Sequence, residues 1–325
     1  VLGGVRFGRT LGSPVAVVIR NTEWPRWSEE MSAEPGSPQR PLTAPRPGHA
    51  DLAGMVKYDT HDARDVLERA SARETAARSV AGYLCAQLLR TIGVEVLSHV
   101  VAIGDVAAPE GAIPQPSDRD AIDASPVRVF DQSVEQAMID AVDAATADRD
   151  TLGGVVEVVA HRVPPGLGSH VHWDRKMDAL LSGALMSIPA IKAVEVGDGF
   201  AGASRPGSIA HDEIGYRDGA FTRATNRSGG VEGGITTGDP IRVRAYMKPL
   251  STLMRPLGTV DVVTKEPESA IRERSDVCAV PAAGIVAEHM VAVVLAGEAL
   301  RKFGGDAVAD FAGAAEAYRR RVEGF

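Results

Sequence analysis

The run PRPGHADLAGMVKY, residues 45–58, carries Arg46, His49, Asp51 and Lys57 behind a proline–glycine turn. A histidine changes charge near neutral pH, and a guanidinium beside it attracts oxyanions. Two readings compete for this stretch: a solvated surface turn, or one wall of a site for an anionic ligand.

Other stretches carry the same kind of chemistry. In ERASARETAARSVAGYL, residues 68–84, Ser71 and Glu74 have capping-box spacing and predict a helix start at Ser71. Free N–H groups at such a start favour an anion. Arg69 and Arg73 sit there against the helix dipole, which a bound anion would balance. Salt bridges to Glu68 and Glu74 are the plainer reading. Arg73 lies four residues before Ala77 and is expected to point inward with the apolar stripe. In IRVRAYMKPLSTL, residues 241–253, Lys248 ends a strand, Pro249 stops it, and Ser251 and Thr252 add hydroxyls. That order suits a phosphate or a polar heterocycle, and equally an ordinary turn. In ERSDVCAVPAAG, residues 273–284, Arg274 and Asp276 precede an apolar helix; they suit a cap, or an oxyanion clamp beside a proton carrier. TNRSGGVEGGITTGD, residues 225–239, has two glycine pairs, which implies close backbone approach to something flat or phosphorylated.

The elements that must position these loops follow from periodicity. Strands are expected at 15–19, 94–104, 153–163, 192–197, 241–248 and 259–264. Helices are expected at 72–90, 132–148, 174–188, 282–303 and 305–322. The first has an apolar stripe of Ala77, Val80, Ala81, Leu84, Cys85 and Leu88. Residues 21–48, 105–130 and 199–239 read as long loops. No proline- or glycine-rich linker separates two obvious domains, so one layered domain is expected.

The bulk composition narrows the partners. With 35 basic and 43 acidic residues the formal charge is −8, against nucleic acid or an anionic membrane surface. Positive charge is local: residues 242–274 hold seven Lys or Arg against four acids. Cys85 and Cys278 lie in apolar runs and read as reduced thiols of a cytoplasmic protein. The apolar run at 280–298 is broken by Glu288 and His289 and is not expected to span a membrane. His170 and His172 with His211 and Asp212 lack a spacing that fixes a third ligand, so no metal is expected.

RPGHADLAGMVKY, ERASARETAAR, VPPGLGSHVHWDRKMDALLSGALMSIPAIKAVEVGDGF, TNRSGGVEGGITTGDPIRVRAYMKPLSTL and ERSDVCAVPAAGIVAE, in that order, resemble chorismate synthase. The resemblance runs from about Val5 to about Ala315. It implies an α+β fold, a β-α-β sandwich with a helical layer between antiparallel sheets and an internal pseudo-repeat. It implies one domain over residues 1–325, usually assembled as a homotetramer. The implied reaction is the 1,4-elimination of phosphate from 5-enolpyruvylshikimate 3-phosphate, giving chorismate, with reduced FMN as cofactor. NADPH is a candidate reductant.

By this resemblance His49 lies beside the flavin and Asp276 assists proton movement between substrate and flavin. Arg46, Arg73 and Arg274 hold substrate anions. Arg69, Ala70, Ser71, Ala201, Gly202, Gly233, Lys248, Pro249, Leu250, Ser251, Thr252 and Arg274 contact the flavin. The family's G-[LE]-S-H-G motif and the arginine-rich loop after it do not occur, and Val1 opens a strand-like run, so an upstream segment is expected. Without the motif's histidine, weak or no turnover is expected. The alternative is a non-catalytic relative that binds flavin or assembles with intact subunits.

Overall fold

The structure, a computed structural model, describes residues 1–273 and 275–325. The chain divides into two compact units, Val1–Ala77 with Pro256–Glu273, and Arg78–Arg255 with Arg274–Phe325.

The first unit is built mostly of loops. Its longest helix is α1, Asp51–Tyr58, which ends on Asp59 in the left-handed region. Met55 of α1 packs with Ala63 and Val66, and with Leu42, Val262 and Ile271. A short hairpin, Gly258–Val260 with Pro267–Ser269, returns to the segment before α1. There Thr259 Oγ1 donates to the Pro45 carbonyl at 2.7 Å, and the Val262 N–H donates to the Thr43 carbonyl at 2.9 Å. These bonds fix the chain that leads into the histidine loop. The expected strand at 15–19 does not form. Among the described residues its only bridge is Gly3 to Ala16, and Val17, Val18 and Ile19 are exposed. Without a partner strand, an apolar run has no ladder to join.

Chain order then gives α2 (Glu74–Arg90), β1 (Glu95–Ile103), β2 (Val106–Ala107) and α3 (Glu135–Ala147). These are followed by β3 (Gly154–His161), α4 (Met177–Met186), β4 (Ile191–Val196) and β5 (Ile241–Met247). The chain closes with α5 (Val280–Phe303) and α6 (Val308–Glu323). The strands form one sheet in the order β2-β1-β3-β5-β4, with antiparallel neighbours throughout. The region 199–239, expected as loop, holds two single-turn helices and two small hairpins, Ile214–Arg217 with Ala220–Arg223 and Val231–Glu232 with Ile235–Thr236. Short turns of this kind have too few residues to show a period.

Alternation sorts the sheet into two faces. Val96, Val100, Val156, Val158, Ile241, Val243 and Ala245 are buried on one face, where α4 and α5 pack. Helix α5 is long and apolar enough to cross a bilayer, but half of it is buried in this core. Its two buried glutamates each have donors. Glu288 accepts from Ser98 at 3.0 Å and Arg119 at 2.9 Å, and Glu298 accepts from Arg175 at 2.9 Å.

Helix α2 buries only part of the expected stripe: Cys85 and Leu88 are half-buried against the core, and the close approach to α5 lies beside them. Ala77, Ala81 and Leu84 are exposed, while Gly82 and Leu89 are buried. The reason is close approach: a Cβ on Gly82 would lie 2.3 Å from the Cβ of His289. The helices touch where a side chain is missing, which a search for large apolar residues overlooks.

The other sheet face carries charge. Cross-strand register lines up His99, Glu157, Arg244 and Glu195. Glu157 accepts from Arg244 Nε at 2.8 Å and Arg242 Nη2 at 3.1 Å, with His99 Nε2 at 3.3 Å. Burial alone would raise its carboxyl, but the His99 bond and both guanidiniums hold it down at about 2, against 4.5 unperturbed.

Two measurements test this packing. Gly82→Val is expected to destabilise by about 1–3 kcal/mol in urea unfolding. Gly297→Ala, on an open surface of α5, is expected to stabilise slightly. For Glu157 the folded value lies below the unfolded one, so its stabilisation is complete above 4.5 and is lost as pH falls towards 2. The difference corresponds to about 3 kcal/mol. Glu157→Gln is expected to lose roughly that much at pH 7 and to converge on the parent in acid.

Candidate functional site

In the first unit the site grows from a turn. The His49 N–H donates to the Arg46 carbonyl at 3.3 Å, closing a four-residue turn with Pro47 and Gly48 at its centre. Gly48 has φ +75°, a value the third position of a type II turn requires and glycine adopts without strain. The turn delivers the chain to Asp51, the first residue of α1.

Arg46, His49 and Asp51 meet there. Arg46 donates to Asp51 three times: from its backbone N–H at 3.1 Å, from Nε at 2.8 Å and from Nη2 at 3.1 Å. His49 Nδ1 lies 2.5 Å from Asp51 Oδ1. The Asp51 side chain is 0% exposed and that of His49 22%. Burial would raise the Asp51 carboxyl; the bonds from His49 and Arg46 outweigh it and hold it well below the usual carboxylate range. Asp51 is therefore ionised at neutral pH, and the loop is not a solvated turn. Lys57 points elsewhere, with Nζ over the Tyr58 ring at 5.2 Å.

The second stretch of the first unit departs from expectation. Helix α2 begins at Glu74, not Ser71. Ser71 Oγ accepts from the Arg73 N–H at 3.3 Å. Arg73 does not point inward: its side chain is 61% exposed and pairs with Glu68 and Glu23 at 3.6 Å. It precedes the first helical residue, so helical spacing does not carry it into the stripe. These carboxylates supply the negative charge that two arginines at a helix start call for. Arg69 is exposed, and Ala70 and Ser71 are half-buried.

In the second unit Lys248 leaves β5 with its N–H on the Ala190 carbonyl at 3.0 Å. Its Nζ donates to Ser251 Oγ at 2.8 Å. The Leu250 carbonyl accepts from Thr151 Oγ1 at 2.8 Å, pinning the segment that runs on from Pro249 to Thr252. Burial first, and then the charge of Lys192, lower the Lys248 ammonium. A half-buried ammonium beside a hydroxyl, with a second lysine adding positive charge, suits a phosphate-bearing ligand. Lys192 has no sequence signal, because sheet pairing alone brings β4 beside the end of β5.

The glycine-rich loop is only partly available to a ligand. A Cβ on Gly229 would meet Gly197 N at 2.4 Å, one on Gly230 the Pro240 carbonyl at 2.6 Å, and one on Gly234 the Ser169 carbonyl at 2.7 Å. Three of the four paired glycines thus approach the protein's own backbone. Gly233, at φ +59°, faces open space. Ala201 and Gly202 lie in the turn Gly199–Ala203, where the Gly202 N–H donates to the Asp198 carbonyl at 3.0 Å. Asp276 is exposed. Arg274 lies outside the described residues.

The structure thus brings Arg46 and His49 together around Asp51, and Lys248 together with Ser251. The remaining candidates are distributed over both units. Asp51 has no role in the expected site; the H-x-D spacing at a helix start is the signal that marks it.

Three comparisons bear on what these residues do. The profile of the chorismate synthase family matches residues 1–300. The chorismate synthase of Kocuria rhizophila is 59% identical over 319 residues, 95% of this chain and 77% of that protein. That of Acidothermus cellulolyticus is 60% identical over 318 residues, 95% of this chain and 81% of its own. A crystal structure of chorismate synthase superposes with a TM-score of 0.80 at 38% identity, covering 100% of this chain and 84% of the other.

Removing Arg46 would leave Asp51 charged and sealed from water. Arg46→Ala is expected to cost about 3–5 kcal/mol in chemical unfolding at pH 7. Arg46→Lys keeps the charge but not the two-pronged geometry, and is expected to cost less.

Proposed function

The chain belongs to the chorismate synthase family, and we propose that His49 and Asp276 move the protons of its reaction while Arg46, Arg73 and Arg274 hold the substrate's anionic groups. The reaction is carbon–oxygen lysis: 5-enolpyruvylshikimate 3-phosphate loses phosphate and a ring proton to give chorismate. The observation that carries the proposed roles is the buried Arg46–Asp51–His49 cluster. It holds an imidazole in one place on an otherwise acidic protein.

The family uses reduced FMN, which when bound supplies electron density to the allylic centre that loses phosphate and recovers it afterwards. Lys248 and Ser251 are suited to a flavin phosphate, with Lys192 adding charge. The proposed contacts extend to Arg69, Ala70, Ala201, Gly202, Gly233 and Thr252, and to the backbone at Pro249 and Leu250. Gly233 supports its part by having open space where a side chain would stand. The substrate's phosphate and two carboxylates call for arginines, whose forked donors match oxyanions. His49 suits proton transfer because it is partly exposed while its partner is sealed.

The proposal also includes a single functional domain, the sandwich arrangement with its internal repeat, a homotetramer, a cytoplasmic location, and NADPH as a source of electrons.

Anaerobic assay with the substrate and reduced FMN tests this reading. Chorismate formation is expected on the strength of the relatives' 59–60% identity, in place of the weak or absent turnover implied by the missing histidine motif, and His49→Ala is expected to lower kcat by about 10²–10⁴-fold. Lys248→Ala is expected to weaken FMN binding about tenfold or more in a fluorescence titration. Unchanged kcat in His49→Ala would remove the proposed role of His49.

A further inference from the structure

The Arg46–Asp51–His49 cluster determines more than the place of the imidazole. We propose that Asp51 is a positioning residue that keeps a proton on Nδ1 of His49, so that Nε2 is the nitrogen that takes and gives the transferred proton. The inference rests on the proton-transfer role assigned to His49 above.

Hydrogen-bond chemistry carries the argument. An ionised carboxylate only accepts. The ring nitrogen 2.5 Å from Asp51 Oδ1 must therefore be the donor, and it is Nδ1. Arg46 Nη2 also lies 3.1 Å from Nδ1, but a guanidinium only donates. Two donors do not bond each other; they stand close because both serve Oδ1. With Nδ1 protonated in both charge states of the ring, only Nε2 changes state.

The carboxylate cannot turn away to release the ring. Arg46 holds Oδ2 through its backbone N–H and Nε, and holds Oδ1 through Nη2. Asp51 begins α1, so its Cα is set by the helix, and the turn at Pro47–Gly48 sets the path of His49. The cluster thus has one fully buried member that orients and one partly exposed member that a ligand can reach.

The test reads the ring nitrogens directly. Long-range proton–nitrogen correlation spectra of the full chain show each ring nitrogen as protonated or bare. A spectrum of His49→Asn picks out the His49 signals among the eight histidines. In the neutral ring a protonated Nδ1 and a bare Nε2 are expected. Asp51→Asn, whose amide offers a donor as well as an acceptor, is expected to shift His49 towards a protonated Nε2. It is also expected to lower kcat at least tenfold with KM within about twofold, since a mispositioned proton carrier forfeits part of its roughly 10²–10⁴-fold effect. A bare Nδ1 in the unaltered protein overturns the proposal and needs no variant that must fold. A His49 spectrum unchanged by Asp51→Asn overturns it as well. Full turnover by His49→Ala would instead remove the catalytic role on which the proposal rests, while the spectrum still decides which nitrogen Asp51 engages.

Discussion

An ionised carboxylate sealed from water has to be met by donors on every side, and this constraint is strictest at Asp51 and Glu157. Asp51 is surrounded by Arg46 and His49, and Glu157 by Arg242, Arg244 and His99. Desolvating such a group costs several kcal/mol, so each cluster holds only while all its partners stay in place. The backbone around each is correspondingly determined. A proline–glycine turn and the first residue of α1 frame Asp51, and the ladders of three adjacent strands frame Glu157.

The sheet separates these demands by face. Its apolar side accepts α4 and α5, so the long apolar helix becomes a core element whose glutamates are answered by Ser98, Arg119 and Arg175. Its charged side is a row set by register, and a one-residue slip would move every member of the row to the opposite face. Gly82 adds a second geometric condition by letting α2 approach the backbone of α5.

A chain of net charge −8 that handles a substrate with several negative charges must concentrate its cations. It does so unevenly. Arg46 is buried on a carboxylate, Arg73 stands exposed between two, and Lys248 donates to the Ser251 hydroxyl while the charge of Lys192 lowers its ammonium. Arginine also ties α5 to the sheet, as Arg119 does by bonding the Val96 carbonyl and Glu288.

Sequence alone determined the four longer strands of the main sheet and the five helices expected in the chain, because these runs are long enough to show a period of two or 3.6 residues, whereas the two-residue β2 lies in a stretch expected as loop. It also determined the family, because several long motifs stand in order. It located the histidine loop, since PRPGHAD carries its own turn chemistry. Tertiary structure alone decided that residues 15–19 lack a strand partner, that α2 packs through Gly82, and that Arg73 faces outward. It also decided that three loop glycines serve the protein's own backbone, and that Lys192 stands near Lys248. Each of these depends on what lies opposite a residue in space, and a local pattern carries no record of residues far away in the chain.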